Sequence, residues 1–279
     1  MIVLLLAILG LVFGSFVNAL VWRLHEQEKI ADGRVLKSKR ARLRELSMWR
    51  GRSMCPHCHH QLAAKDLVPV VSWLWLHGKC RYCHHKIEDS PAIELVTALL
   101  FAISYLFWPA GLHGLGLMQF YFFLAFLVGF VALAVYDLRW FLLPDRIVFP
   151  LIGLAVVELL ATLIFFHGGW AALGLAVWGV AIASGLFLVL YQVSRGEWIG
   201  GGDVKLGIVL GILIGGPIRS LLLLFIASLL GTLVSLPLLI TAKANKKTLI
   251  PFGPFLLTAA VIIELFGSHF VDWLNHFPG

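Results

Sequence analysis

Apolar residues run along this chain in long blocks, separated by short polar or turn-forming clusters. Eight blocks, at about 2–22, 91–108, 117–136, 147–166, 171–193, 204–216, 218–240 and 251–268, predict helices. Several reach the roughly 20 residues that carry a helix across a bilayer. The breaks fall at Pro109-Ala110-Gly111, His167-Gly168-Gly169, Gly215-Gly216-Pro217 and Lys246-Lys247, which are turn-type or charged. The sixth block is short, so the expectation is a tilted, half-inserted or neighbour-shielded helix. One long polar stretch, 23–90, is the only segment outside the blocks large enough to fold. Its first part, Glu26 to Arg52, lacks clear apolar faces apart from a helix expected around Arg40–Trp49. The pattern predicts an all-α polytopic membrane protein of about eight transmembrane helices with a small loop domain.

Composition agrees. Of 279 residues, 60% are apolar and 13% are charged, against about a quarter charged in a soluble domain, so lipid must solvate much of the surface. Residues 2–22 have no basic residue before them and no small-x-small cleavage site after them, and read as a retained first span. The net charge of +7 is concentrated: 23–90 holds 14 of the 22 Lys and Arg and 7 of the 15 Asp and Glu. With both termini outside, the loops 23–90, 137–146, 194–203 and 241–250 fall in the cytoplasm. With their flanks they carry 21 of the 22 basic residues, leaving Arg219 on the far side. Basic charge beside spans points to anionic membrane lipids as partners. Nucleic acid is not expected, since no binding motif accompanies the charge.

All four cysteines lie in that loop, as Cys55-Pro-His-Cys58 and Cys80-Arg-Tyr-Cys83. Two C-x2-C knuckles at this distance match a zinc ribbon, each placing two thiolates on one tight turn. A cytoplasmic loop is reducing, which argues against disulfides. Four cysteines close a tetrahedral shell, so the expected zinc is structural. Histidines 57, 59, 60, 84 and 85 crowd the knuckles and are alternative ligands, with an all-thiolate shell the simplest assignment.

Acidic residues in or beside spans are costly and point to function. Six stand out: Glu94, Asp137, Asp145, Glu158, Asp203 and Glu264. Asp137 ends the third span and is followed by Leu142-Leu143-Pro144-Asp145. Asp203 opens the sixth in Gly200-Gly201-Gly202-Asp203-Val204-Lys205. Both are expected at the same membrane face. Two carboxylates within reach of one another share a proton, so that one polarises a carbonyl while the other activates water. The glycines before Asp203 permit close approach of another backbone segment, such as a substrate's. The alternative is ordinary interfacial pairing, Asp137 with Arg139 or Arg146 and Asp203 with Lys205.

Together these residues resemble the bacterial prepilin peptidase family (type IV leader peptidases), membrane aspartic proteases of the GxGD type. The resemblance runs through Gly14-Ser15-Phe16-Val17-Asn18, Ser72-Trp73-Leu74, Gly78-Lys79-Cys80-Arg81 and Pro91-Ala92-Ile93-Glu94-Leu95. It continues in Asp137 with Leu143-Pro144-Asp145, in Gly200–Lys205 and in Pro251-Phe252-Gly253-Pro254-Phe255, in the family order. It implies an inner-membrane enzyme of bacteria, with its large loop and active site facing the cytoplasm. Such an enzyme cuts the basic leader from prepilins and pseudopilins and methylates the new N-terminus with S-adenosylmethionine. It also implies Asp137 and Asp203 as the catalytic pair, with Pro144, Asp145, Gly200, Gly202 and Lys205 in the active-site motifs. Relatives with a shortened loop lack the methyltransferase activity, and the full loop here argues for its presence. No Gly-rich nucleotide fingerprint assigns residues to the methyl donor.

The expected organisation is a first span at 1–22, a basic loop at 23–90 with the four-cysteine site and the methyltransferase part, and a membrane peptidase domain at 91–279. Two other readings remain at this point: a protease without methyltransferase activity, and a zinc-ribbon scaffold or ion-coupled carrier. A carrier should show internal repeats, and none is visible.

Overall fold

The computed structural model describes residues 1–31, 46–47, 51–87, 91–166, 169–240 and 250–275. The helix expected around Arg40–Trp49 and the loop 241–249 lie largely or wholly outside them. The chain divides into two compact units, Met1–Leu106 and Phe107–Gly279. Among the described residues every regular element is helical, apart from two isolated bridges.

The first unit holds α1 (Ile2–Ala31), a 3-10 turn (Ala64–Asp66), α2 (Val71–Trp75) and α3 (Ala92–Leu106). α1 runs nine residues past its expected end at 22. No Gly or Pro interrupts Arg23–Ala31, and Lys29 pairs with Glu26 one turn back at 2.9 Å. α1 packs along α3 at close range because Gly10 and Gly14 present no side chain. A Cβ at Gly10 would stand 2.6 Å from the Ala98 Cα, and one at Gly14 2.5 Å from the Glu94 Cα. This small-residue stripe is how helices approach each other in lipid, where apolar burial alone drives nothing.

The second unit is a bundle of α4 (Gly114–Trp140), α5 (Asp145–Phe165), α6 (Gly169–Val193), α7 (Gly201–Ile214), α8 (Pro217–Ile240) and α9 (Gly253–Asn275). All eight expected apolar blocks are helical. Six of these helices are long and apolar enough to cross a membrane. The other two, α3 with 15 residues and α7 with 14, span only roughly 22 and 21 Å at 1.5 Å per residue. The protein is thus multi-pass, with six helices long enough to span.

α7 lies among α5, α6, α8 and α9. Leu206, Val209 and Leu210 are fully buried, so neighbouring helices rather than lipid solvate it, as its shortness requires. Its closest neighbour is α6. A Cβ at Gly211 would meet the Val180 backbone at 2.6 Å, one at Gly207 the Ser184 backbone at 2.8 Å, and one at Gly179 the Gly211 backbone. The Ser184 hydroxyl donates to the Val204 carbonyl at 2.8 Å, fixing the register of the pair. α7 ends at Gly215, whose φ of +61° suits glycine, and the Gly216 N–H donates back to Leu175 of α6.

Candidate functional site

In the first unit, the two C-x2-C segments fold into matching knuckles. In the first, the Cys55 N–H donates to the His60 carbonyl and the His59 N–H to that of Cys55. In the second, the Cys80 N–H donates to the His85 carbonyl and the His84 N–H to that of Cys80, all at 2.9–3.0 Å. Each is flanked by one antiparallel bridge, Met54 to Gln61 and Lys79 to Lys86. Each turns at a left-handed histidine, His59 at φ +58° and His84 at +55°. The rings of the two knuckles stack on each other: His57 on His85 at 4.0 Å, and His60 on Tyr82 at 3.7 Å. The histidines weighed as alternative ligands thus serve as turn and stacking residues, and among the described residues the metal-capable group is the four cysteines. The C-x2-C-H-H pattern at 55–60 recurs at 80–85, a short internal duplication.

The four Sγ atoms lie within 4.8 Å of one another, and all four thiols are free. A tetrahedral zinc with bonds of about 2.3 Å needs sulfurs roughly 3.8 Å apart, and Cys55 and Cys83 are separated by 3.9 Å. The thiols are not equivalent. Burial pushes Cys80 up, but the amides of Cys83 and Tyr82 and the adjoining sulfurs outweigh it, and the group settles at about 7. At Cys83 the amide of His85 favours the thiolate, but burial and the other three sulfurs prevail and push it up to about 12. Crowded thiols resist successive ionisation, and a divalent cation removes that resistance. The group can hold a metal ion.

Between the knuckles the chain is locked by Asp66. Arg81 Nε donates to its Oδ1 at 2.7 Å, and Tyr82 and the Ala63 N–H donate to Oδ2. Burial acts to raise the Asp66 carboxyl, but these donors overcome it and hold the group below the usual carboxylate range. Glu94, buried in α3, accepts the Val70 N–H at 2.6 Å. Val70 sits at φ +60°, an unfavourable geometry for a β-branched residue, so the carboxylate holds a strained start to α2.

In the second unit, four helix ends converge. Asp137 occupies the last turn of α4, and Phe141 closes that helix in the left-handed region. Pro144 is the N-cap of α5 and Asp145 lies in its first turn. Gly200 is the N-cap of α7 and Asp203 lies in its first turn. Gly253 begins α9. Asp137 is buried, and its Oδ2 accepts the Gly253 N–H at 3.0 Å. Leu143 lies against both Gly202, the residue before Asp203, and Gly253, whose N–H holds Asp137. The two carboxylates, 66 positions apart in sequence, are neighbours in space. Lys205 turns to Asp145, its Nζ reaching both carboxylate oxygens at 2.6 and 2.8 Å, rather than pairing with Asp203 as the alternative reading would have it.

Of the three glycines before Asp203, Gly202 has a close neighbour. A Cβ at Gly202 would stand 2.9 Å from the Leu143 side chain, so the Leu-Leu-Pro-Asp block, rather than open space for a substrate, lies against it. At Gly253 a Cβ would stand 2.5 Å from Asp137 Oδ2. Sequence reasoning singled out Gly253 only as part of a family block. The available signal was a glycine at the head of an apolar helix between two prolines. Glu264, the acidic residue of the last block, is ion-paired to Arg219 at 3.2 Å.

Residues 8–108 match the family described as Bacterial Peptidase A24 N-terminal domain, and residues 124–236 match the Type IV leader peptidase family. Three relatives named prepilin leader peptidase/N-methyltransferase are similar over most of their length. That of Aeromonas salmonicida is 33% identical, covering 96% of this chain and 92% of its own. That of Stutzerimonas stutzeri is 32% identical, covering 94% and 89%. That of Bacillus subtilis is 31% identical, covering 82% and 87%. No solved structure matches the chain. With both family regions present in order and relatives of like length at about a third identity, the chain belongs to the type IV leader peptidase family.

Proposed function

We propose that this protein is a prepilin leader peptidase and N-methyltransferase whose peptidase chemistry is carried by Asp137 and Asp203. The observation that carries the reading is the convergence, around Leu143, of the helix ends that carry these two carboxylates, with the Gly253 N–H on one oxygen of Asp137. Two adjacent carboxyls share one proton. The protonated member donates a hydrogen bond to the scissile carbonyl, and the ionised member takes a proton from water as its oxygen attacks the carbonyl carbon. The tetrahedral species then collapses, the C–N bond breaks, and the leaving amine takes up a proton from the dyad. Pro144 and Gly200 set the starts of the helices that carry this machinery. The Asp145–Lys205 pair ties the first turn of α5 to the first turn of α7.

The metal of the four-cysteine site is zinc, held by Cys55, Cys58, Cys80 and Cys83 in a closed structural shell. S-adenosylmethionine, when bound, supplies an electrophilic methyl group for the amine freed by cleavage. The concentration of basic charge in 23–90 supports a reading in which that loop and the dyad face the cytoplasm at the inner membrane, beside anionic lipid. Prepilins and pseudopilins, with basic leaders, are the substrates.

The test is direct. Purified protein is incubated with a prepilin, with and without S-adenosylmethionine, and the products are weighed. Leader loss in both reactions and one added methyl only with the donor is the expected result. Intact prepilin in both overturns the peptidase reading, and cleavage without methylation reduces the protein to a protease.

A further inference from the structure

Residues 2–22 of α1 are a ruler for depth in the bilayer. They carry no charged side chain, and Arg23 ends the run. At 1.5 Å per residue they span about 31 Å, the thickness of a hydrocarbon layer. α3 meets this ruler well below its end. A Cβ at Gly14 would stand 2.5 Å from the Glu94 Cα, so the first turn of α3 is level with Gly14, about 12 Å short of Trp22. The head of α3 therefore lies inside the layer that α1 crosses, and what covers it lies in the outer part of that layer.

α2 covers it. Its start is tied to the first turn of α3 by the Val70 N–H, which donates to Glu94. Its Ser72, Trp73 and Leu76 line one cavity with Ser15, Asn18 and Trp22 of α1, so α2 lies beside the upper part of the ruler. With those residues turned inward, Val71, Leu74 and Trp75 share the opposite face at helical spacing, and they are 57, 59 and 77% exposed. Leu67 and Val68, just before α2, are exposed as well. Five large apolar side chains in nine residues make a patch rather than scatter, and such patches mark contact with a membrane or a protein.

Charge and continuity select the membrane. Exposed Lys65 and Lys79 flank the patch. The only acidic residue from 64 to 80 is Asp66, which is buried and held by Arg81. The patch also continues the exposed apolar surface of the two long helices beside it, through Leu95 in the first turn of α3 and Phe16 of α1.

We propose that α2 is an in-plane membrane anchor: Val71, Leu74 and Trp75, with Leu67 and Val68, lie in the boundary between acyl chains and headgroups, and Lys65 and Lys79 meet anionic phospholipid headgroups. Indoles collect at this boundary, and basic flanks strengthen such contacts. The anchor goes beyond both activities, needs only that α1 crosses the bilayer, and sets the depth at which the knuckles sit. The Glu94–Val70 bond also gains a reason, since a backbone N–H at this depth needs a partner from within the protein.

The experiment uses the full chain in nanodiscs of phosphatidylcholine and phosphatidylglycerol, with fluorotryptophan at all ten tryptophans. In the fluorine NMR spectrum Trp75→Phe removes one line and so assigns it. Should that variant shift the other lines, Trp75→Tyr makes the assignment. A lipid spin-labelled high on its acyl chain should broaden the Trp75 line of wild type beyond detection, and a water-soluble gadolinium chelate should leave it visible. A line lost to the chelate and kept with the labelled lipid places the face in water. A line kept with both places it against protein, whether a second copy or another part of this chain. Either result overturns the anchor. Lys65→Gln combined with Lys79→Gln should let the chelate broaden the line in the same discs, and an unchanged line in that variant overturns the headgroup contacts.

Discussion

The thiol cluster and the carboxylate pair are assembled in opposite ways. The four cysteines come from 29 consecutive residues, 55–83, and each knuckle is closed by its own backbone hydrogen bonds. Asp137 is positioned by a residue 116 positions away, and Asp203 by the packing of α7 among four helices. The first site is local and would survive much rearrangement elsewhere. The second exists only if the bundle is right. Local sites are written as motifs, whereas non-local ones are written as packing constraints, here small residues where two backbones or a backbone and a carboxylate must meet.

The largest effect expected from breaking this contrast is at the dyad. Asp137→Asn or Asp203→Asn should slow leader cleavage by roughly 10²- to 10⁴-fold, measured as the rate of prepilin shortening, with bound metal unchanged because the knuckles fold independently of the pair. Cleavage within a factor of a few of wild type in either variant would remove that residue from the mechanism.

Gly253→Ala comes next. The added methyl cannot coexist with Asp137 Oδ2 where it now stands, and displacement of a catalytic group by about 1 Å costs on the order of 10²-fold. Cleavage should fall while methylation of a synthetic, already-cleaved pilin peptide stays normal. Equal loss of both activities would show general unfolding rather than a displaced carboxylate.

Cys80→Ser should give the converse pattern. Metal analysis should find no stoichiometric zinc, and methylation should fall at least as far as cleavage. Acid should release the metal from wild type as well, since lowering the pH returns protons to the thiolates that hold it. A variant that still carries one zinc per chain would show that a nearby histidine replaces the missing sulfur.

The smallest effect is expected at the pair between α5 and α7. Asp145 and Lys205 are substantially exposed, with side-chain accessibilities of 52% and 37%, and such pairs contribute about 1 kcal/mol at most. Lys205→Met should therefore change cleavage by no more than roughly 5-fold. A loss comparable to that of Asp203→Asn would place Lys205 in direct contact with substrate.

The positions of the eight helices were legible from hydrophobic blocks, because lipid leaves a strong one-dimensional signal. Helix ends were less so: α1 continues past 22 because Arg23–Ala31 remain good helix formers after the apolar run stops. The cysteine site was legible down to its ligand types, because its spacing is its geometry. The role of Gly253 was not, since a close approach between residues 137 and 253 leaves no periodic trace. Nor was the partner of Lys205, because Asp145 and Asp203 lie equally near the expected face and only packing chooses between them. The Gly202–Leu143 contact was missed for the same reason.

The shortness of α7 bears on how a hydrolase can work among lipids. Hydrolysis consumes a water molecule at each turnover, and a hydrocarbon interior is dry. At roughly 21 Å, α7 is about 9 Å shorter than the hydrocarbon layer it would have to cross, and Asp203 lies in its first turn. The head of such a helix need not reach the headgroups, because first-turn N–H groups such as those of Gly201 and Gly202 have no preceding turn to bond and draw solvent inward. Hydration would then descend to the carboxylates, with no pore through the far side. Hydrogen–deuterium exchange should record this as a gradient along a single helix, fast at Gly201 and Gly202 and slow from Leu206 to Gly211, where the neighbouring helices exclude solvent.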